Sequence, residues 1–357
     1  MRFAAACLVY IYHSNQRRLV TEVLPASNFG HSSVIVFFVL SGFVIAYVTD
    51  TKERDWVRYS ASRLSRIYSV ALPAVVLTVV LDAVGRQLYP ALYDYPFDHF
   101  ALRIASSLLM LNETWFVSIT SFSNVPYWSI GYEVWYYVAF AIATFAPRRV
   151  VWALLCGLAL VLGPKVVLLA PIWIAGVVLY HWTILRSLSP TISWALVIFS
   201  VFGITLFHAA DVAGVISAHL KGWIGGSWQR ELTFSQYFLS DYLLAGLVFL
   251  NFAGMRGAAR TIEAGLLKFE RPIRFLAGFT LTLYLLHHPL FLFWGAVIRG
   301  DPAGRGYWWL VTLATAGSVL LIGHFTESKR HVLRSWLELR LRKLETAWVA
   351  RRYVVGS

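Results

Sequence analysis

The sequence predicts an all-α fold, a polytopic transmembrane helix bundle of about ten spans with both termini in the cytoplasm. Three observations predict it. Of the 357 residues, 58% are hydrophobic and 14% charged, against about 45–50% and about 25% in a soluble domain. The mean hydropathy of +0.63 leaves more apolar surface than one water-soluble core can bury. Finally, ten spans with the N-terminus inside put 22 of the 31 Lys and Arg on one side and 9 on the other. Cytoplasmic loops are the ones that retain Lys and Arg. The same composition excludes disorder, collagen and coiled coil. It also assigns the net charge of +13 to a membrane face and not to nucleic acid. The 15 Trp and 18 Tyr suffice for two interfacial belts.

The elements follow in chain order. Met1-Arg2 leads into an apolar run without the small-residue cleavage pattern of a signal peptide, so 3–20 is expected to be a retained first span. The later spans are expected at 32–49, 66–84, 128–146, 149–164, 166–183, 193–210, 236–253, 275–298 and 307–325. Each is long enough, or nearly so, for about 30 Å of hydrocarbon at about 1.5 Å per residue. The apolar stretch 100–117 carries Arg103 and Glu113 and is expected to be a partial or interfacial helix, not a crossing. Residues 1–325 therefore form one integral membrane domain. The tail, 326–357, is basic and amphipathic (Trp336, Leu337, Leu341, Leu344, Trp348), suited to the inner membrane face. Cys7 and Cys156 lie in apolar runs, with no metal-type spacing and no disulfide framework.

No phosphate-binding GxxxxGK[ST], HExxH, CxxC or GxSxG motif is present, which leaves ATP-driven transport, zinc hydrolysis and serine-hydrolase chemistry without sequence support. Polar residues inside apolar helices remain, and these are costly in lipid. Arg2 and His13 are eleven steps apart, which is about 20° from three full turns, so they share a helix face about 16 Å apart along the axis. Neutral imidazole accepts a proton near pH 7, as a general base for a hydroxyl nucleophile must. His13 equally suits a structural role, hydrogen-bonded across helices.

Five segments carry a resemblance. They are Arg2-x10-His13, Val36-Phe37-Phe38-Val39-Leu40-Ser41-Gly42-Phe43, Arg63-Leu64-Ser65-Arg66-Ile67-Tyr68, Pro126-Tyr127-Trp128-Ser129-Ile130-Gly131-Tyr132-Glu133, and Tyr284-Leu285-Leu286-His287-His288-Pro289. In this order, each at an expected span, the chain resembles the acyltransferase 3 family of integral membrane acyltransferases along essentially its whole length. Glu327 stands where many members carry a glutamate. Ser69 stands where proline is usual, and Arg2 follows Met1 where members have several further residues, so a cropped first helix is expected. The resemblance is to a stand-alone member without a C-terminal esterase-like domain.

The resemblance implies transfer of an acyl group, commonly acetyl from acetyl-CoA, to a hydroxyl of a carbohydrate or lipid-linked glycan at the inner (plasma) membrane. Acyl-CoA then enters as co-substrate, with no permanently bound cofactor and no metal. His13 takes the hydroxyl proton, and Arg2 and Glu133 support it. Arg63 and Arg66, three apart on one helix face, suit the phosphates of CoA, although ordinary positive-inside charge explains the spacing as well. Glu133 suits orienting a sugar hydroxyl or pairing with an arginine. Trp128 suits the substrate or a membrane belt. Ser41, beside Gly42, suits substrate contact or close helix packing. His287, before Pro289, suits substrate contact or packing. A second reading of the same residues is a polytopic transporter of an anionic or glycan substrate, with His13 and the arginines lining a pathway.

Overall fold

A computed structural model describes residues 1–16 and 19–355, without the side chains of 16, 260, 264 and 348–355. Arg17 and Arg18 of the expected first span, the Arg260 charge and the tail's Trp348 therefore lie outside the described residues. The first half of the chain folds as α1 (Arg2–Gln16), α2 (Gly30–Thr51), α3 (Trp56–Leu88), α4 (Phe100–Leu108), α5 (Trp128–Phe145), α6 (Arg148–Leu162) and α7 (Pro164–His181). It continues as α8 (Pro190–Ala209), α9 (Val212–Ile224), α10 (Gly226–Glu231), α11 (Phe238–Leu267), α12 (Glu270–Ala277), α13 (Thr280–Ile298), α14 (Arg305–Phe325) and α15 (Arg330–Val355). Among the described residues there is no strand, only an isolated bridge between Ser121 and Asn124.

Every one of the ten expected spans coincides with a helix, but seven segments are long and apolar enough to cross a membrane. The three that fall short do so for different reasons. Helices α1 and α6 have 15 residues each, about 22 Å at about 1.5 Å per residue. Helix α5 has 18 residues, but its run of Trp, Tyr and Glu133 dilutes the apolar content. Stretch 100–117 is helical only to Leu108, so it is the partial helix the sequence implied.

Beyond Leu108 the backbone is irregular, and such backbone at membrane depth needs internal partners. Lys165 of α7, fully buried, reaches into this loop and binds Glu113 and the carbonyl of Val117, both at 2.7 Å. Asp82 of α3 accepts from the Ser123 amide at 2.9 Å and hydroxyl at 2.6 Å. These clasps bring Asn124 and Pro126 to the start of α5.

Two crossings position the centre. At the α2–α7 contact, a Cβ on Gly42 would fall 2.0 Å from the Trp173 carbonyl oxygen, and one on Gly176 would fall 1.9 Å from that of Val39. The backbones touch because neither residue has a side chain. Helix α13, 78% buried over its apolar window, lies against α1, α3 and α14. Pro289 removes a backbone donor inside α13 and leaves the Leu285 carbonyl without its helical partner. Asn124 Nδ2 supplies the missing hydrogen bond at 2.7 Å. The tail forms α15, which packs along α3 through Arg342–Asp55 (2.8 Å) and Trp56 Nε1–Glu345 (2.7 Å).

Candidate active site

The first turns of α1 and α13, the middle of α3 and the start of α5 meet around a small cavity of about 40 Å³. Arg2, Arg66, Ser129, Glu133 and Tyr284 line it, with apolar walls from α2. Glu133 is fixed by two hydroxyls, accepting from Ser41 Oγ at 2.6 Å and from Tyr137. Ser129 and Tyr284 are joined by a 2.6 Å hydrogen bond. Among the described residues no carboxylate lies within 4 Å of the guanidinium of Arg2 or Arg66. Glu133, Glu327 and Glu53 act on Arg66 only at longer range. The cavity therefore combines two unneutralised cations with one carboxylate already engaged by hydroxyls, which is the electrostatics of an anion site.

Glu327 has a structural task here. It is buried after the end of α14 and accepts from the Thr282 amide and hydroxyl, both at 3.0 Å, and from the Leu281 amide at 3.4 Å. Those amides belong to the first turn of α13, which has no intrahelical acceptor for them. Glu327 thus anchors the helix end that carries Tyr284.

Arg63 and Arg66, the expected donor-binding pair, stand in different surroundings. Both face Tyr137, but Arg63 is buried and held by Glu53 at 2.7 Å, ten residues back across the α2–α3 turn. Its charge is spent inside the protein, and only Arg66 joins Arg2. The belt reading of Trp128 also gives way. Its ring is buried and stacked on Phe234 at 4.5 Å, nearly parallel, so it packs inside the protein beside the cavity-lining Ser129. Ser41 is buried and donates its hydroxyl hydrogen bond to Glu133.

His13 lies near the other end of α1 from Arg2 and does not line the Arg2–Arg66 cavity. Its ring is 5.4 Å from that of His287 and 5.1 Å from that of His288, so three imidazoles gather between α1 and α13. His287 is completely buried. Its Nδ1 lies 3.0 Å from the Leu283 carbonyl and 2.8 Å from that of Tyr284. Carbonyls only accept, so Nδ1 carries the proton and Nε2 carries the lone pair. That Nε2 has no hydrogen-bond partner among the described residues. His288 Nε2 meets the Tyr95 hydroxyl at 3.1 Å. Among the described residues no three His, Cys, Asp or Glu side chains are placed to hold one metal ion.

Tyr284 ties the two regions together. It lines the basic cavity, and its ring is 6.3 Å from that of His287, one turn further along α13. Sequence reasoning had quoted Tyr284, Ser129 and His288 inside motifs without giving them tasks. It passed over Tyr137, whose signal is its position four residues after Glu133 on a helix.

A family model described as an acyltransferase domain matches residues 1–325. No curated protein and no solved structure matches the chain. The match spans every helix that contributes to the basic cavity and the histidine cluster, so the chain belongs to the acyltransferase 3 family and is a membrane acyltransferase.

Proposed function

We propose that the protein transfers an acyl group, acetyl in the first instance, from acyl-CoA to a hydroxyl of a carbohydrate or lipid-linked glycan. The observation that carries this reading is the buried imidazole cluster one helical turn from a cavity with two unpaired guanidiniums. Arg66 and Arg2 meet anionic groups of the donor. The thioester, at the end of a long flexible arm, comes past Tyr284 to the histidines. His13, with the lone pair of His287 beside it, takes the proton from the acceptor hydroxyl. The oxygen attacks the thioester carbonyl carbon, the C–S bond breaks, and the departing thiolate takes a proton to leave as the free thiol of CoA. Arg63 serves the fold and not the donor in this scheme. The family match sets the transport reading aside.

The same proposal places the chain in the inner membrane, with ten crossings and both termini in the cytoplasm. The 22-to-9 distribution of Lys and Arg supports it, and in this topology the Arg2–Arg66 end faces the cytoplasm, where CoA is found. Reporter fusions after Val125 and after Ser357 are expected on opposite sides, and agreement between them would reject ten crossings. The activity is tested with purified protein, acetyl-CoA and a panel of glycans. Release of free thiol coupled to an ester on the glycan is expected, and thiol release that no glycan accelerates would reject the acceptor class.

A further inference from the structure

A second cavity, of about 360 Å³, opens at the end of the bundle opposite Arg2 and Arg66. This size falls within the roughly 300–1,000 Å³ of small-molecule sites. It forms where the last turn of α1, the first turns of α2 and α11, and the end of α8 converge. Asn28, His31, Ser32, His208, Tyr237 and Asp241 supply its polar lining. No Lys or Arg lines it among the described residues.

Asp241 is the informative member. It is 1% exposed, and its Oδ1 is bound to His31 Nε2 at 2.8 Å. Its Oδ2 has no hydrogen-bond partner among the described residues. A buried carboxylate oxygen left unmatched costs free energy, and its persistence in a cavity wall calls for a donor from outside the protein. Ser32 and His208 form a second polar pair across the same space, at 2.9 Å. Tyr12 and Tyr237 add aromatic surface. Tyr12 also connects the cavity to the catalytic region, because its ring is 5.0 Å from that of His13. Gly30 makes that placement possible: a Cβ there would fall 2.3 Å from the Tyr12 ring.

We propose that this cavity is the acceptor pocket, and that it takes a neutral polyhydroxylated ring, with Asp241 Oδ2 receiving a hydroxyl hydrogen bond. The proposal rests on the acyl-transfer reading for its biological purpose, but the pocket stands on its own geometry. Hydroxyl donors match a carboxylate, an amide and two imidazoles better than an anion does, since Asp211 and Asp241 both face the space and no Lys or Arg among the described residues answers them. The donor cavity and this one lie at opposite ends of α1, with the histidine cluster between.

The test uses the full chain in lipid nanodiscs with diazirine-bearing glycosides of a neutral hexose, an N-acetylhexosamine and a uronic acid, mapped by mass spectrometry. The neutral probes are expected to label peptides containing Asn28, His208 or Tyr237, and the uronic acid at least tenfold less. Asp241→Asn keeps an oxygen for His31 but weakens acceptance, and is expected to reduce neutral-probe labelling at least tenfold. His208→Ala, which leaves the Asp241–His31 pair intact, is expected to reduce it too. Labelling confined to other surfaces, equal labelling by the uronic acid, or labelling unchanged in both variants would overturn the pocket. Acetyl-CoA turnover by the unmodified protein is measured in parallel. Its absence alongside intact labelling would overturn the acyl-transfer reading and leave the pocket standing.

Discussion

If the histidine cluster moves the acceptor proton, His13 and His287 have to behave as one unit. Their rings are 5.4 Å apart, and Nε2 of His287 has no hydrogen-bond partner among the described residues. Two substitutions probe this. His13→Ala removes one imidazole from a half-buried position on α1, where histidine has no special backbone role. His287→Asn is chosen because an amide N–H replaces Nδ1–H toward the Leu283 and Tyr284 carbonyls while the basic nitrogen is lost. General-base catalysis contributes about 10²–10⁴-fold, which is about 2.7–5.4 kcal/mol of barrier at about 1.36 kcal/mol per tenfold. Each single variant is expected to lose rate in that range with membrane insertion near normal. Independent contributions would multiply to about 10⁴–10⁸-fold in the double variant. A shared proton path predicts instead that the double variant is hardly worse than the poorer single, as residues acting as a unit are non-additive. The assay is single-turnover acyl transfer at saturating donor. A His13→Ala protein keeping more than about a tenth of the rate would make His13 structural, and a multiplicative double variant would refute the shared path.

Two further outcomes are expected. Arg66→Ala should raise the donor KM about 10- to 150-fold, from a charge-assisted bond of about 1.5–3 kcal/mol, and leave the acceptor KM nearly unchanged. Arg63→Ala should instead lower thermal stability, because Glu53 would be left buried and unpaired at a cost of about 3–5 kcal/mol. Equal donor effects from the two would refute the separation of their roles. At the α15 contact, partial burial raises the Asp55 carboxyl, but the Arg58 amide, Arg342 and the Arg58 charge outweigh it and hold Asp55 below the usual carboxylate range. A depressed folded value stabilises docking above the unfolded value of about 3.9, and the contribution is lost as pH falls through the folded value. The distance between spin labels at Lys52 and Lys343 should therefore lengthen only below about pH 4, and lengthening already at pH 6 would assign the contact elsewhere.

Helix positions were legible because apolar runs of membrane length dominate this sequence, and each expected span found its helix. The count of full crossings was less legible because α1, α5 and α6 are each short or polar, and neighbouring helices shelter what lipid does not. Arg2, Arg66 and Glu133 line one cavity, whereas the expected order of spans set Glu133 at the outer face and the two arginines at the inner, and spacing could not separate Arg63 from Arg66. Glu53, the residue that neutralises Arg63, lies across a turn whose path no periodicity encodes. Asp82 and Asp241 had a usable signal as ionisable residues within expected spans. Lys165 and His31 did not, because just outside the expected spans they read as ordinary interfacial residues.

The positions of the two cavities bear on why the base lies deep in the bundle. Arg2 and His13 are on one face of α1, eleven residues and about 16 Å apart, with a cavity at each end of that distance. A highly charged donor and a polyhydroxylated acceptor are both costly to move through hydrocarbon. An acyl group is small and apolar, and a chain of neighbouring rings, Tyr284, His287, His13 and Tyr12, runs between the two cavities. On the proposed reading only the acyl group and one proton need to enter the buried middle. That requires a base that is uncharged at rest, since a fixed charge there would be expensive. A histidine with Nδ1–H bound to its own helix meets the requirement: it holds a lone pair without holding a charge. Carboxylates are accordingly found at the two ends, Glu133 and Asp241, each tied to a hydroxyl or an imidazole.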